Sequence, residues 1–206
     1  MKKYLLSTFA VLAALTIAGT ASAAGHEGKI SRYDNPYVKA HVGYGFGAGE
    51  TEHGGIMGLA AGYSMNDYFS AEIMAEFRPW EKEKFRIDNA PNVKPDMWSM
   101  DAMVNVYASY PFEMLGDRLS VYAVGGLGMA YNKTDGKGDF KGKGKYDFAW
   151  NAGAGFEYAL TECMSVDLGY RFTDLGDARI KNRTTRAKVK EKVRFNDIKL
   201  GLKYYF

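Results

Sequence analysis

Apolar and polar residues alternate one by one along most of the chain beyond residue 36. A period of two marks an extended strand, because successive side chains leave its two faces in turn. At 37–47, Val38, Ala40, Val42, Tyr44 and Phe46 share one face, and Lys39, His41, Gly43, Gly45 and Gly47 share the other. The same division recurs at 55–65, 68–78, 98–110, 146–160 and 164–173, and a last alternating run closes on Phe206. Residues 119–131 also read as a strand, but polarity does not separate its faces. Eight strands result, each of about ten residues, which is enough to cross a bilayer when tilted.

The breaks between these runs differ in length. Those at Asn66-Asp67, 111–118 and 161–163 are short, and Asn-Asp is suited to a tight turn. Those at 79–97, 132–145 and 174–194 are longer, while 48–54 is brief. An even number of antiparallel strands joined by alternately short and long connections predicts an all-β, eight-stranded antiparallel transmembrane up-and-down barrel. Both ends then lie with the short turns, in the periplasm. Tyr68, Phe69, Trp98, Tyr110, Tyr131, Trp150, Tyr204 and Phe206 fall near strand ends, where two interfacial girdles would need them.

The amino end has a different pattern. Lys2 and Lys3 precede an apolar run over 4–18, and Ala21-Ser22-Ala23 closes the segment. This reads as a cleaved secretory signal over 1–23, with a retained anchor as the alternative. A periplasmic tail at 24–36 and the barrel at 37–206 follow. Cys163 is the one cysteine, so no intrachain disulfide is expected. Stability must come from elsewhere, and a closed sheet satisfies every backbone group internally.

At the carboxyl end Ile198, Leu200, Leu202, Tyr204 and Phe206 share one face. Asp197, Lys199, Gly201, Lys203 and Tyr205 share the other. The run resembles the last strand of bacterial outer-membrane barrels, which implies a signal for the barrel assembly machinery. The stretches VYAVGGLGMAY, FAWNAGAGFEYAL and MSVDLGYRFTDLG resemble internal strands of the small outer-membrane β-barrel superfamily. That group includes the outer membrane protein A barrel, outer membrane protein X and the opacity-type surface proteins. The resemblance covers 37–206 and implies a monomer in a Gram-negative outer membrane, in contact with lipid and lipopolysaccharide. No peptidoglycan-binding domain is expected after the barrel.

Several motifs lose their first appeal in this setting. Gly43-x-Gly45-x-Gly47 and Gly125-Gly126-x-Gly128 lack the following helix that a phosphate loop needs. In a narrow barrel such glycines make room for bulky side chains opposite. His26, His41 and His53 lack zinc-ligand spacing. His41 has no serine beside it on its own face and reads as a lumen filler. No catalytic residue, metal, cofactor or nucleic-acid partner is expected.

Two constellations remain. Lys39, Glu72, Glu76, Arg78, Asp101, Glu157, Asp167, Arg171, Lys199 and Lys203 all fall on lumen faces. Both signs are present, as a narrow interior requires, because an unpaired buried charge is costly. Glu72, Glu157 and Asp167 are expected low, near Lys39, Lys199 and Lys203, with Glu76 and Asp101 higher, near Arg171. The second constellation is basic: Lys141, Lys143 and Lys145 in one long break, and Arg179, Lys181, Arg183, Arg186, Lys188 and Lys190 in the next. The run 181–192 alternates as though the strands continued above the membrane. These residues are candidates for lipopolysaccharide phosphates, anionic glycans or a host surface. The functional readings are therefore a structural, surface-contacting barrel, a passive channel, or a lipid-modifying barrel enzyme. A soluble calycin-like barrel would need its apolar faces inside, against the terminal Phe206 and the clustered aromatics.

Overall fold

The computed structural model describes residues 35–47, 53–81, 96–112, 118–135, 140–141, 144–182 and 188–206. The strands are β1 (Asn35–Gly47), β2 (Gly54–Ser64), β3 (Phe69–Glu81), β4 (Asp96–Phe112), β5 (Leu119–Asp135), β6 (Phe140–Lys141), β7 (Lys145–Ala159), β8 (Met164–Asn182) and β9 (Lys188–Tyr205). Eight long strands pair antiparallel in chain order, and β1 pairs β9 from Tyr37↔Tyr205 to Gly47↔Phe195, which closes the barrel. The two-residue β6 adds to β8 at Lys181 and Asn182, beyond the barrel wall.

The expected barrel is present, with longer strands than the polarity pattern suggested. β1 begins at Asn35 rather than at 37, and the expected leader and most of the tail lie outside the described residues. Pro79, expected in a loop, pairs with Trp98 inside β3 and β4. β5 runs to Asp135, β8 to Asn182, and β9 starts at Lys188, so strand replaces much of the loops expected at 132–145 and 174–194. A hydrogen-bonded ladder does not stop at the edge of the lipid; only the side-chain polarity changes there.

The described turns at 65–68 and 160–163 lie at one end with the barrel's first and last strand ends, where Tyr205 N donates to Cys163 O and Phe206 N to Pro36 O. Asn66 holds the turn between β2 and β3: its Oδ1 accepts from the backbone N–H of Tyr68 (2.9 Å) and of Phe69 (2.8 Å). The outer wall is apolar. Ile73 is 67% exposed and Leu127 61%, which suits contact with lipid and not with water. Register also settles β5: Leu127 and Met129 face out, whereas Tyr122, Val124 and Ala130 are buried. Aromatics form a girdle at the loop end, where Phe77, Trp98, Tyr131 and Tyr146 follow one another at centroid distances of 6.0, 5.7 and 4.8 Å. At the turn end Tyr110 meets Phe112 at 6.1 Å and Tyr204 meets Phe206 at 5.3 Å.

One irregularity breaks the ladder. The register of β8 against β9 shifts between Asp174 and Asp177, and Gly176 takes φ 79°. Glycine adopts that left-handed backbone without a steric penalty. Asp174 Oδ1 accepts from Gly176 N (2.9 Å), and Asn132 Nδ2 donates to Leu175 O (2.9 Å). Leu175 is thereby driven into the interior.

Candidate functional site

The interior is solid and stratified. At the turn end Glu157 accepts from Lys203 Nζ (2.5 Å), Ser165 Oγ (2.6 Å) and Tyr205 Oη (2.8 Å). Above it Glu72 accepts from Tyr107 Oη (2.5 Å), Tyr37 Oη (3.2 Å) and Asn105 Nδ2 (3.3 Å). Lys39 stands between Glu72 (3.5 Å) and Asp167 (3.7 Å), and Tyr122 Oη donates to Asp167 (3.1 Å).

Nearer the loop end Arg78 gathers three acids. Its guanidinium donates to both oxygens of Asp197, to Glu76 Oε2 (2.6 Å) and to Asp101 Oδ2 (3.4 Å). Lys199 Nζ and His41 Nε2 share Glu76 Oε1, with His41 at 2.7 Å. Thr173 Oγ1 completes the shell on Asp197 at 2.8 Å. Over this layer lie the buried apolar side chains of Ala130, Ala149, Leu175, Val193 and Phe195. A gap of about 10 Å³, room for about one water molecule, lies among Lys39, His41, Tyr122, Asp167, Arg171 and Lys199.

All ten expected lumen charges therefore turn inward, and Glu157 keeps some contact with solvent. Two expected neighbourhoods are corrected. Lys199 does not sit low with Glu72, Glu157 and Asp167; it belongs with Glu76 and Asp197, the latter at 3.8 Å. Glu76 and Asp101 do not meet Arg171. Arg171 donates instead to Tyr107 Oη (2.8 Å) and to Met74 Sδ (3.3 Å), and Arg78 takes the acids. The reason is stagger: tilted strands bring together residues whose heights cannot be counted along one strand. Asp197, fully buried, was missing from the expected network although its parity with Lys199 marked it. Tyr107 was missed too. It is an aromatic on a polar face, and its hydroxyl joins Lys39, Arg171 and Glu72.

The basic candidates divide. Lys145 opens β7 and pairs with Asp147, so it is engaged in the wall. Lys143, Arg183 and Arg186 lie outside the described residues. Lys141, Arg179, Lys181, Lys188 and Lys190 stand on strands beyond the barrel, where Lys141 is opposite Lys181, Lys181 opposite Lys188, and Arg179 opposite Lys190. Below them Arg194 Nε donates to Asp174 Oδ2 at 2.7 Å, and Lys133 Nζ lies 5.4 Å from the Trp98 ring centre. On the terminal strand Ile198, Leu200 and Phe206 are exposed on the outer wall, with Leu202 and Tyr204 half-buried beside them. Phe206 N donates to Pro36 O at 3.1 Å. Among the described residues no group of three or more His, Cys, Asp or Glu is arranged to hold a metal ion.

Residues 9–206 match the family model described as outer membrane protein beta-barrel domain. The chain is 28% identical over 174 residues to outer membrane protein PagN of Salmonella typhimurium, covering 72% of each protein. It is 32% identical over 98 residues to the 31 kDa outer-membrane immunogenic protein of Brucella melitensis, covering 44% of this chain and 40% of that one. Its fold is similar to that of Neisserial surface protein A, with a TM-score of 0.61 at 16% identity over 83% of this chain and 97% of the other. Outer membrane protein OprG from Pseudomonas aeruginosa gives a TM-score of 0.59 at 14% identity, over 87% and 99%.

Proposed function

This chain belongs to the outer membrane protein β-barrel family and is an outer-membrane barrel of a Gram-negative bacterium, and from that premise we propose that the barrel serves as an anchor whose specific work is surface contact at its loop end. In this reading it is neither an enzyme nor the holder of a cofactor. The supporting observation is the contrast between its two polar regions. The lumen is consumed by its own ion pairs, since Arg78, Glu72 and Asp197 are each at most 2% exposed. Beyond the wall, Arg179 is opposite Lys190, Lys181 opposite Lys188 and Lys141 opposite Lys181 in the strand register, while Lys192 is opposite Asp177. Anionic partners of the class of lipopolysaccharide phosphates or acidic glycans fit such a surface.

The chain works as a monomer, with the short turns and both ends in the periplasm and the β8–β9 extension outside the cell. Ile198, Leu200, Leu202, Tyr204 and Phe206 present the assembly signal. The test is binding of purified lipopolysaccharide or heparin to refolded protein, with Lys181, Arg183, Arg186, Lys188 and Lys190 changed to Gln. Binding that weakens in the variant and fades as salt rises supports the reading, because exposed charges act over about 8 Å at physiological salt. Equal binding by both forms removes it.

A second reading, a narrow ion path, draws on the water-sized gap beside Arg171 and Lys199. Single-channel recording on the refolded barrel separates the two: steady conductance supports the path, and silence supports the anchor.

A further inference from the structure

We propose that the bulge of β8 is a lid latched across the loop end of the lumen, with Leu175 as its plug. The inference concerns the interior and is independent of the surface-contact reading. Leu175 and Gly176 together stand opposite the single residue Val193, because the register passes from Asp174↔Arg194 to Asp177↔Lys192. An inserted residue takes the backbone out of the regular ladder. The pairing of β7 with β8 ends at the same place, at Trp150↔Asp174.

The bulge is fastened by side chains instead. Asn132 reaches it from β5, across β7, and its Nδ2 donates to the Leu175 carbonyl at 2.9 Å. Asn132 Oδ1 in turn accepts from Ser99 Oγ of β4 at 2.6 Å. All three residues are at most 4% exposed, so a buried hydrogen-bonded strap runs from β4 to β8. On the outer side Asp174 makes a second hold: its Oδ1 accepts from Gly176 N at 2.9 Å and its Oδ2 from Arg194 Nε at 2.7 Å.

Below the strap Leu175 is wholly buried in one apolar cluster with Ala130, Ala149, Val193 and Phe195. The cluster rests directly on the charged layer, since the Arg78 guanidinium carbon lies 5.5 Å from the centre of the Phe195 ring. An apolar cover keeps water from ion pairs, which are stronger where the surroundings are less polar. The turn end has no such cover, and the Glu157 side chain there is 14% exposed. The lumen therefore meets water at its turn end and is shut at its loop end. While the lid is latched it has no through path.

Leu175 is also the part of the cover that can move. Ala130 is paired on both sides, by Asp101 and Asp147, and Phe195 by Gly47 and Thr173. Releasing either means unzipping a ladder. Releasing Leu175 means breaking the Asn132 contact and turning the chain about Gly176, whose φ of 79° costs glycine nothing.

The test places a thiol under the plug. Thr173 is buried two residues before Leu175, and its hydroxyl donates to Asp197. Thr173→Cys is made together with Cys163→Ser, refolded in lipid nanodiscs, and its rate of reaction with a small charged methanethiosulfonate is measured. The thiol should react slowly in this form and in one that adds Leu175→Met, which keeps the plug's bulk. Adding Asn132→Ala or Leu175→Gly should raise the rate at least about tenfold, the equivalent of roughly one hydrogen bond. Adding Tyr37→Leu, a truncation at the turn end, should leave the rate unchanged. Heat-modifiable gel mobility checks folding, and Asn132→Ala leaves the packed apolar side chains in place should Leu175→Gly fail to fold. A thiol that is fast from the outset means an open mouth and overturns the lid. So does one that stays slow in the opened variants, which would assign closure to the charged layer itself, or one released equally by Tyr37→Leu.

Discussion

Arg78 and Asp197 are 119 positions apart in the chain, yet they meet inside the barrel in a two-pronged contact, Nη1 to Oδ1 at 2.8 Å and Nη2 to Oδ2 at 2.9 Å. Two parallel N–H···O⁻ bonds fix geometry as well as charge. The same guanidinium holds Glu76 and Asp101, so strands β3, β4 and β9 are tied through one side chain.

Arg78→Met should accordingly be the most damaging lumen substitution. It takes from buried Asp101 its ion-pair partner and from Glu76 and Asp197 one partner each, and breaking a buried pair costs about 3–5 kcal/mol. Arg171→Met removes donors to Tyr107 and Met74 rather than an acid's partner. It should cost less, on the order of 1.5–3 kcal/mol. Urea unfolding of the refolded barrel in lipid vesicles measures both. Equal losses would place Arg171 among the acids after all.

Glycines on the two faces should answer oppositely to a methyl group. A Cβ on Gly58 would lie 2.5 Å from His41 Nε2 and 2.7 Å from the Ala75 carbonyl. A Cβ on Gly125 meets nothing within 4 Å. Gly58→Ala should destabilise by about 1–3 kcal/mol through overpacking. Gly125→Ala should stay within about 0.5 kcal/mol of the parent. Folding midpoints in vesicles decide, and a costly Gly125→Ala would show that the outer wall is not open there.

Phe206 should matter to assembly more than to the finished barrel. Its ring meets Tyr204 edge to face at the outer wall and is 48% exposed, so few contacts are lost with it. Phe206→Ala should reduce the amount of barrel inserted in cells, while shifting the unfolding midpoint of refolded protein by no more than about 1 kcal/mol. Normal insertion of the variant would remove the terminal strand from the assembly signal.

An epitope inserted within 183–187 should be reachable by antibody on intact cells. The extension that carries it leaves the barrel at the end opposite the Asn66 turn. Staining restricted to permeabilised cells would reverse the orientation.

Most of the barrel was legible in the chain because a strand exposes its two faces at a period of two. That period alone assigned Ile73 and its neighbours on β3 to lipid or lumen, and it turned Lys39, Glu72 and Arg171 inward. It failed at 119–131, where Val124 and Ala130 are as apolar as Leu127; burial there followed from pairing with β4 and β7. The composition of the lumen was thus a property of sequence, and its pairing was not. Whether Arg78 or Arg171 meets Asp101 depends on how far each tilted strand is staggered when β1 joins β9, a closure between residues at opposite ends of the chain. The bulge is of the same kind. The Gly176 residue permits a positive φ, but only the register against β9 turns it into an inserted residue that sets Arg179 beside Lys190.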